Sequence, residues 1–152
     1  MSKAGYSAAV GAAVALVGAT PKTVLAVIAP ASFGIDLLGY EIGFDGVTAT
    51  DKAVLVEIVK YTADGTGTAG TVVQNYGRTI TAGFTTKYNY SAEPTGGVVL
   101  SRKSLTPIGG LIIERFPEGQ TFDCAVSELI GLRLTAPTNA VNANPTMFFE
   151  RC

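Results

Sequence analysis

The chain contains no histidine and no tryptophan, and only two cysteines and two methionines. Without histidine, the commonest general base and a favoured zinc ligand are missing. Neither a Ser-His-Asp nor a Cys-His site can be assembled from these 152 residues. Cys124 and Cys152 are too few for a thiolate metal site or a disulfide framework. They read as reduced thiols, with a bridge between chains through Cys152 as the alternative. Without tryptophan, any platform for stacking a sugar has to come from the six tyrosines. No enzyme, cofactor or metal site is therefore expected.

Charge is scarce as well. Asp, Glu, Lys and Arg make up 15% of the chain, against about 25% in an average soluble protein. The 11 basic and 12 acidic residues are scattered singly and leave a net charge of −1. No basic stripe offers a footprint for nucleic acid. Apolar residues reach 47%. A chain of this length forms one domain with a real core, yet has few charges to cover its surface. The surplus apolar surface is expected at subunit interfaces. The uncharged run from Ala4 to Pro21 is interrupted by Gly11 and Gly18, and is too short and too weak for a membrane-spanning helix. Residues 1–19 read as an N-terminal arm, extended or short helical, with Val14 and Leu16 as candidate partner contacts. A secretory leader with "VGA" as its cleavage site is the alternative.

Regular punctuation and β-branched runs fill the rest. Prolines stand at 21, 30, 94, 107, 117, 137 and 145, with glycine pairs at 96–97 and 109–110. Between them lie "KTVLAVIA", "FGIDLLGYEIGF", "AVLVEIVKY", "GGVVLSRKSL", "GLIIERF" and "LIGLRLTA". Short strands separated by frequent turns predict an all-β, antiparallel sandwich over residues 20–152. In "LIGLRLTA", Ile130, Leu132 and Leu134 share one face. In "FGIDLLGYEIGF" the apolar phase flips: Phe33, Ile35 and Leu37 share one parity, and Leu38, Tyr40, Ile42 and Phe44 the other. Either a bulge near Leu37–Leu38 or a strand apolar on both faces would explain this. "AVLVEIVKY" is also two-faced, with Val54, Val56 and Ile58 against Leu55 and Val59. That pattern suggests a sheet packed against another copy.

Motifs for chemistry are weak. Gly65 to Gly70 spells G-x-G-x-x-G after a strand, with Glu93 about 20 residues on. A dinucleotide site needs its last glycine to open a helix, and "TVVQNYGRTIT" has no helical face, so a Gly/Thr hairpin loop is expected. Asp45, Thr48, Thr50 and Asp51 fit no calcium loop, and an Asp-Gly turn accounts for Asp45 and Gly46. The loop "KYNYSAEPTGG" is the most distinctive. Its Tyr88 and Tyr90 share a parity and are candidate partner contacts.

Across most of the chain, from about Thr20 to Glu150, the series "FDGVTAT…VLVEI", "AGT", "GR", "YNYSAEPT", "LTPIGGLIIERFPEG" and "LRLTAP…N…FFE" resembles a family of small structural proteins of tailed bacteriophages. Its members are described as minor capsid, head decoration or fibre-like proteins. The matching positions are Asp45-Gly46, Glu57, Tyr88-Asn89-Tyr90, Glu93-Pro94-Thr95, Pro107, Gly109-Gly110, Pro117 and Ala136-Pro137. The resemblance implies a jelly-roll β-sandwich, a homotrimer, and a place on the outer capsid surface against the phage major capsid protein. A host-surface or glycan-binding module on the head or a fibre is the alternative, reaching out through Tyr88, Tyr90 and "TADGTGTAGT".

Overall fold

The computed structural model describes residues 4–45, 52–137 and 141–152. Among these there are thirteen strands and no helix. They are β1 (Gly5–Ala9), β2 (Val14–Ala15), β3 (Lys22–Ile28), β4 (Ile35–Phe44), β5 (Val54–Tyr61), β6 (Thr66–Ala69) and β7 (Thr71–Tyr76), followed by β8 (Thr85–Ala92), β9 (Val98–Leu105), β10 (Leu111–Arg115), β11 (Phe122–Cys124), β12 (Leu129–Thr135) and β13 (Asn142–Arg151).

Two antiparallel sheets face each other. The larger runs β10-β4-β13-β1-β7, with β11 also on β4 and β2 also on β13; the smaller runs β6-β8-β3-β12-β5-β9. Setting aside β2, β11 and the insertion strands β6 to β8 leaves β1-β13-β4-β10 over β3-β12-β5-β9. The chain changes sheet at every step except β5 to β9, which pair within the smaller sheet. This is jelly-roll connectivity. Residues 62–97, inserted at that one step, carry β6 to β8 and extend both sheets beyond β1 and β3.

Alternation builds the core. Ile130, Leu132 and Leu134 point between the sheets, as do Val54, Val56 and Ile58. On β4 the inward set changes from Ile35 and Leu37 to Tyr40 and Ile42. The cause is a bulge: Phe148 pairs with Gly39 and Phe149 with Leu37, so Leu38 has no opposite number on β13. Pro145 of β13 lies where β1 has ended and β2 has not begun. A missing N–H there disturbs no neighbouring ladder pair on that side.

Two expectations need correction. The described part of residues 1–19 is extended, but it is not a separate arm. β1 is hydrogen-bonded on both edges, to β13 and β7, with Tyr6 and Ala8 buried. Val14 and Leu16 are interior too, at 1% and 0% exposure. β2 pairs Val14 with Ala143, and Leu16 N–H donates to the Val141 carbonyl at 2.9 Å. These side chains fill the core and are withheld from any partner. The middle of the G-x-G-x-x-G stretch, Thr66–Ala69, is a strand rather than a loop, with Gly65 and Gly70 flanking it. β6 pairs with β8, and just before it the chain comes so close that a Cβ on Gly65 would lie within 2.1 Å of the Ala92 carbonyl oxygen.

Candidate functional site

The outer face of the smaller sheet brings together Glu57, Tyr90 and Glu93 of the motif residues. Glu57 interrupts an apolar strand and is 2% exposed. A carboxylate so placed requires cations, and the register supplies them. Arg133 of β12 and Arg102 of β9 stand directly opposite it on either side. Arg133 Nε donates to Glu57 Oε2 at 2.8 Å; Arg102 donates to Oε1 through Nη2 at 2.7 Å and Nε at 2.9 Å. Burial alone would raise the Glu57 pKa, but hydrogen bonds and charge from the two guanidiniums outweigh it and hold the carboxyl below its usual range. Arg133 is desolvated in turn, yet Glu57 holds its pKa up.

Beside this triad runs a second chain of polar contacts. The Glu93 carboxylate accepts from the Thr23 backbone N–H at 2.9 Å and from the Thr23 hydroxyl. With that proton committed to Glu93, Tyr61 donates to Thr23 Oγ1 at 2.9 Å. Burial raises the Tyr61 pKa. Val59, Tyr61 and Leu129 form a small apolar cluster of their own on this face. The two ends of the insertion cover it. Thr62 and Ala63 exchange backbone hydrogen bonds with Thr95, and Gly97 packs against Val59 and Tyr61. The second apolar face of β5 is thus sealed by the chain itself at Val59, where packing against another copy was expected.

Tyr88 and Tyr90 do not act together. Asn89 between them has a left-handed backbone, φ 50°, which breaks the alternation. Tyr88 packs, partly buried, on the main core, with its hydroxyl close to Gly11. Tyr90 is 2% exposed and donates to Asp64 Oδ1 at 3.0 Å. Asp64 also pairs with Lys87 and accepts from the Gly65 N–H at 2.8 Å. Burial and the Asp64 charge push the Tyr90 pKa up. Tyr90 is a structural anchor, and neither tyrosine is a free probe for a partner.

The outer face of the larger sheet has a different character. Leu111, Ile113, Val73 and Tyr76 are each more than half exposed on it. At one end is a cleft of about 620 Å³ lined by Asp36, Tyr76, Arg115, Phe116, Glu118 and Glu150, among others. The sequence signal for this face was the alternation in "GLIIERF", which sends Ile112 inward and Leu111 and Ile113 outward. The Asp45–Asp51 turn cannot be placed, because residues 46–51 lie outside the described residues. Among the described residues, no three His, Cys, Asp or Glu side chains group as metal ligands, and no helix is long and apolar enough to cross a membrane.

No family model matches the chain, and no curated protein matches it. Among solved structures it is similar to the VP2 subviral particle of infectious bursal disease virus, at 14% identity over 98% of this chain and 39% of that one, with a TM-score of 0.15. The chain spans about two fifths of that VP2 chain, and a likeness at this level carries no argument. The structure is an all-β sandwich with the Glu57 ion triad on one outer face and, on the other, exposed apolar side chains around the Arg115–Glu41 pair.

Proposed function

We propose that this protein is a structural component of a tailed-phage virion, a decoration or minor capsid protein. In this reading it seats as a homotrimer on the outer surface of the head, against the major capsid protein, and stabilises the shell by burying interface rather than by catalysis. Fold alone does not assign a function. The observation that carries the reading is what the motif residues do. Glu57, Tyr90, Glu93 and Thr95, all within the resemblance to phage structural proteins, are each committed to contacts inside the fold. What the molecule offers outward is sheet surface. The test is to add the purified protein to heads of its source phage that lack it. Saturable cosedimentation and a higher melting temperature of the heads are expected; heads that never bind it end the proposal.

A host-surface or glycan-binding module is the second reading, and the cleft beside Tyr76 gives it a place. An exposed aromatic ring offers a stacking face, and carboxylates accept sugar hydroxyls. Glycan-array binding that is lost on Tyr76→Ala would favour it over the capsid reading.

A further inference from the structure

The outer face of the larger sheet sets exposed apolar side chains among small and internally paired residues. Reading across the registers, Ile113 stands beside Glu41, then Thr146, then Ala9; Arg115 stands beside Gly39, then Phe148, then Ser7, then Val73. The largest side chains lie down on glycines. The Tyr76 ring covers Gly5, where a Cβ would come within 2.1 Å of it. The Arg115 stem crosses Gly39, where a Cβ would come within 2.9 Å. Its guanidinium then stacks 3.9 Å over the Phe148 ring and pairs with Glu41 Oε1 at 2.6 Å. The central charges therefore neutralise each other within the face. Carboxylates gather at one end, where Asp36 lies opposite both Glu150 and Asp123.

Size points the same way. With strands ~4.8 Å apart and ~6.7 Å between successive outward residues, the five-strand face spans on the order of 500–600 Å². A biological interface clears about 1,000 Å² in total, roughly 500 Å² from each partner. Ile108, in the loop before β10, is 57% exposed and adds to the apolar margin. The opposite face of the sandwich carries the Glu57 ion triad and the crossing segments, which suit water.

We infer that a second copy of this chain covers the outer face of the larger sheet. This rests on the structural reading above and adds a contact to it: a face that meets its own copy closes as a two-fold pair, beside the three-fold contact of the homotrimer. A copy of the same chain supplies a surface of equal size and equally little free charge. The acidic end then stays at the rim, where water solvates it.

The test is the solution mass of the full chain and three variants by analytical ultracentrifugation over micromolar concentrations, with circular dichroism to confirm folding. Ile113→Glu and Val73→Glu each place a charge on the face at a position more than half exposed, so the fold is retained. Val98→Glu, at an exposed position on the edge strand of the smaller sheet, is the control. Wild type and control are expected to be oligomers with matching dissociation constants, and both face variants to dissociate at least about tenfold more readily. A monomeric wild type overturns the inference, as does an oligomer that both face variants leave intact. Head binding, measured alongside, separates the two claims. A monomer that still binds heads removes this inference and leaves the proposed function. A dissociating oligomer that binds no heads does the reverse.

Discussion

Arg133 and Glu57 stand directly opposite each other on neighbouring strands, guanidinium Nε 2.8 Å from carboxylate Oε2. The Glu57 side chain is 3% exposed, that of Arg133 26% and that of Arg102 61%. These exposures rank the three as mutants. Glu57→Ala leaves two cations without their anion, one of them mostly desolvated, and is expected to cost about 3 kcal/mol. Arg102→Ala removes a largely solvated partner and should cost well under 1 kcal/mol. Arg133→Ala should fall between them. Urea denaturation of the three variants checks the order, and an Arg102→Ala loss as large as that of Glu57→Ala would contradict it.

The same triad fixes a pH dependence. The folded pKa of Glu57 lies below its ordinary value. Its contribution is therefore fully present above the unfolded glutamate value of about 4.3 and is lost as pH falls through the lower folded value. Between pH 7 and pH 3 the urea midpoint of the wild type should drop more steeply than that of Glu57→Gln, which has no proton to gain there. Parallel curves for the two proteins would remove Glu57 as a source of acid lability.

Much of the sandwich was legible because strand alternation is a local signal. The phase flip at Leu37–Leu38 marks a real bulge, and the inward set Ile130, Leu132 and Leu134 follows directly from period two. What could not be read is non-local. Val14 and Leu16 sit in a periodless, Ala-rich run, and only pairing with β13 near the other end of the chain buries them. Tyr88 and Tyr90 share a parity on paper, but the positive φ of Asn89 separates them. Glu57 looked like an interruption until the register placed an arginine on each side. The outer face of the larger sheet depends on Tyr76 meeting Gly5 and Arg115 meeting Gly39, contacts that no window of sequence contains.

The two thiols should react very differently. Cys124 is buried, and burial, reinforced by Glu128, pushes its pKa up to about 12. The thiolate is the reactive species, so Cys124 is inert in the folded protein. Cys152 is exposed. Iodoacetamide at mildly alkaline pH should label Cys152 alone, and both cysteines after denaturation, as read by peptide mass. Equal labelling of the two in the folded state would show that the β11 end of the sheet opens readily.

The first strand tests how the chain's beginning contributes. Tyr6 is 1% exposed, its hydroxyl donates to the Ile80 carbonyl at 2.9 Å, and its ring meets Phe84 edge-on at 5.3 Å. Phe84 in turn packs on Phe149 at 6.1 Å. One side chain thus ties β1 to the loop before β8 and to β13. Tyr6→Phe keeps the ring and loses one hydrogen bond, an expected cost of about 1 kcal/mol. Tyr6→Ala also opens a cavity beside two phenylalanines, and should cost about 3–5 kcal/mol. Deleting residues 1–10 goes further, because it strips a paired strand from between β13 and β7 and bares the core at Phe84 and Phe149. A detachable arm would leave a folded domain. Here the truncated chain is expected to lose its cooperative urea transition altogether. A truncated chain that melts at nearly the wild-type midpoint would show that β1 is dispensable to the sandwich.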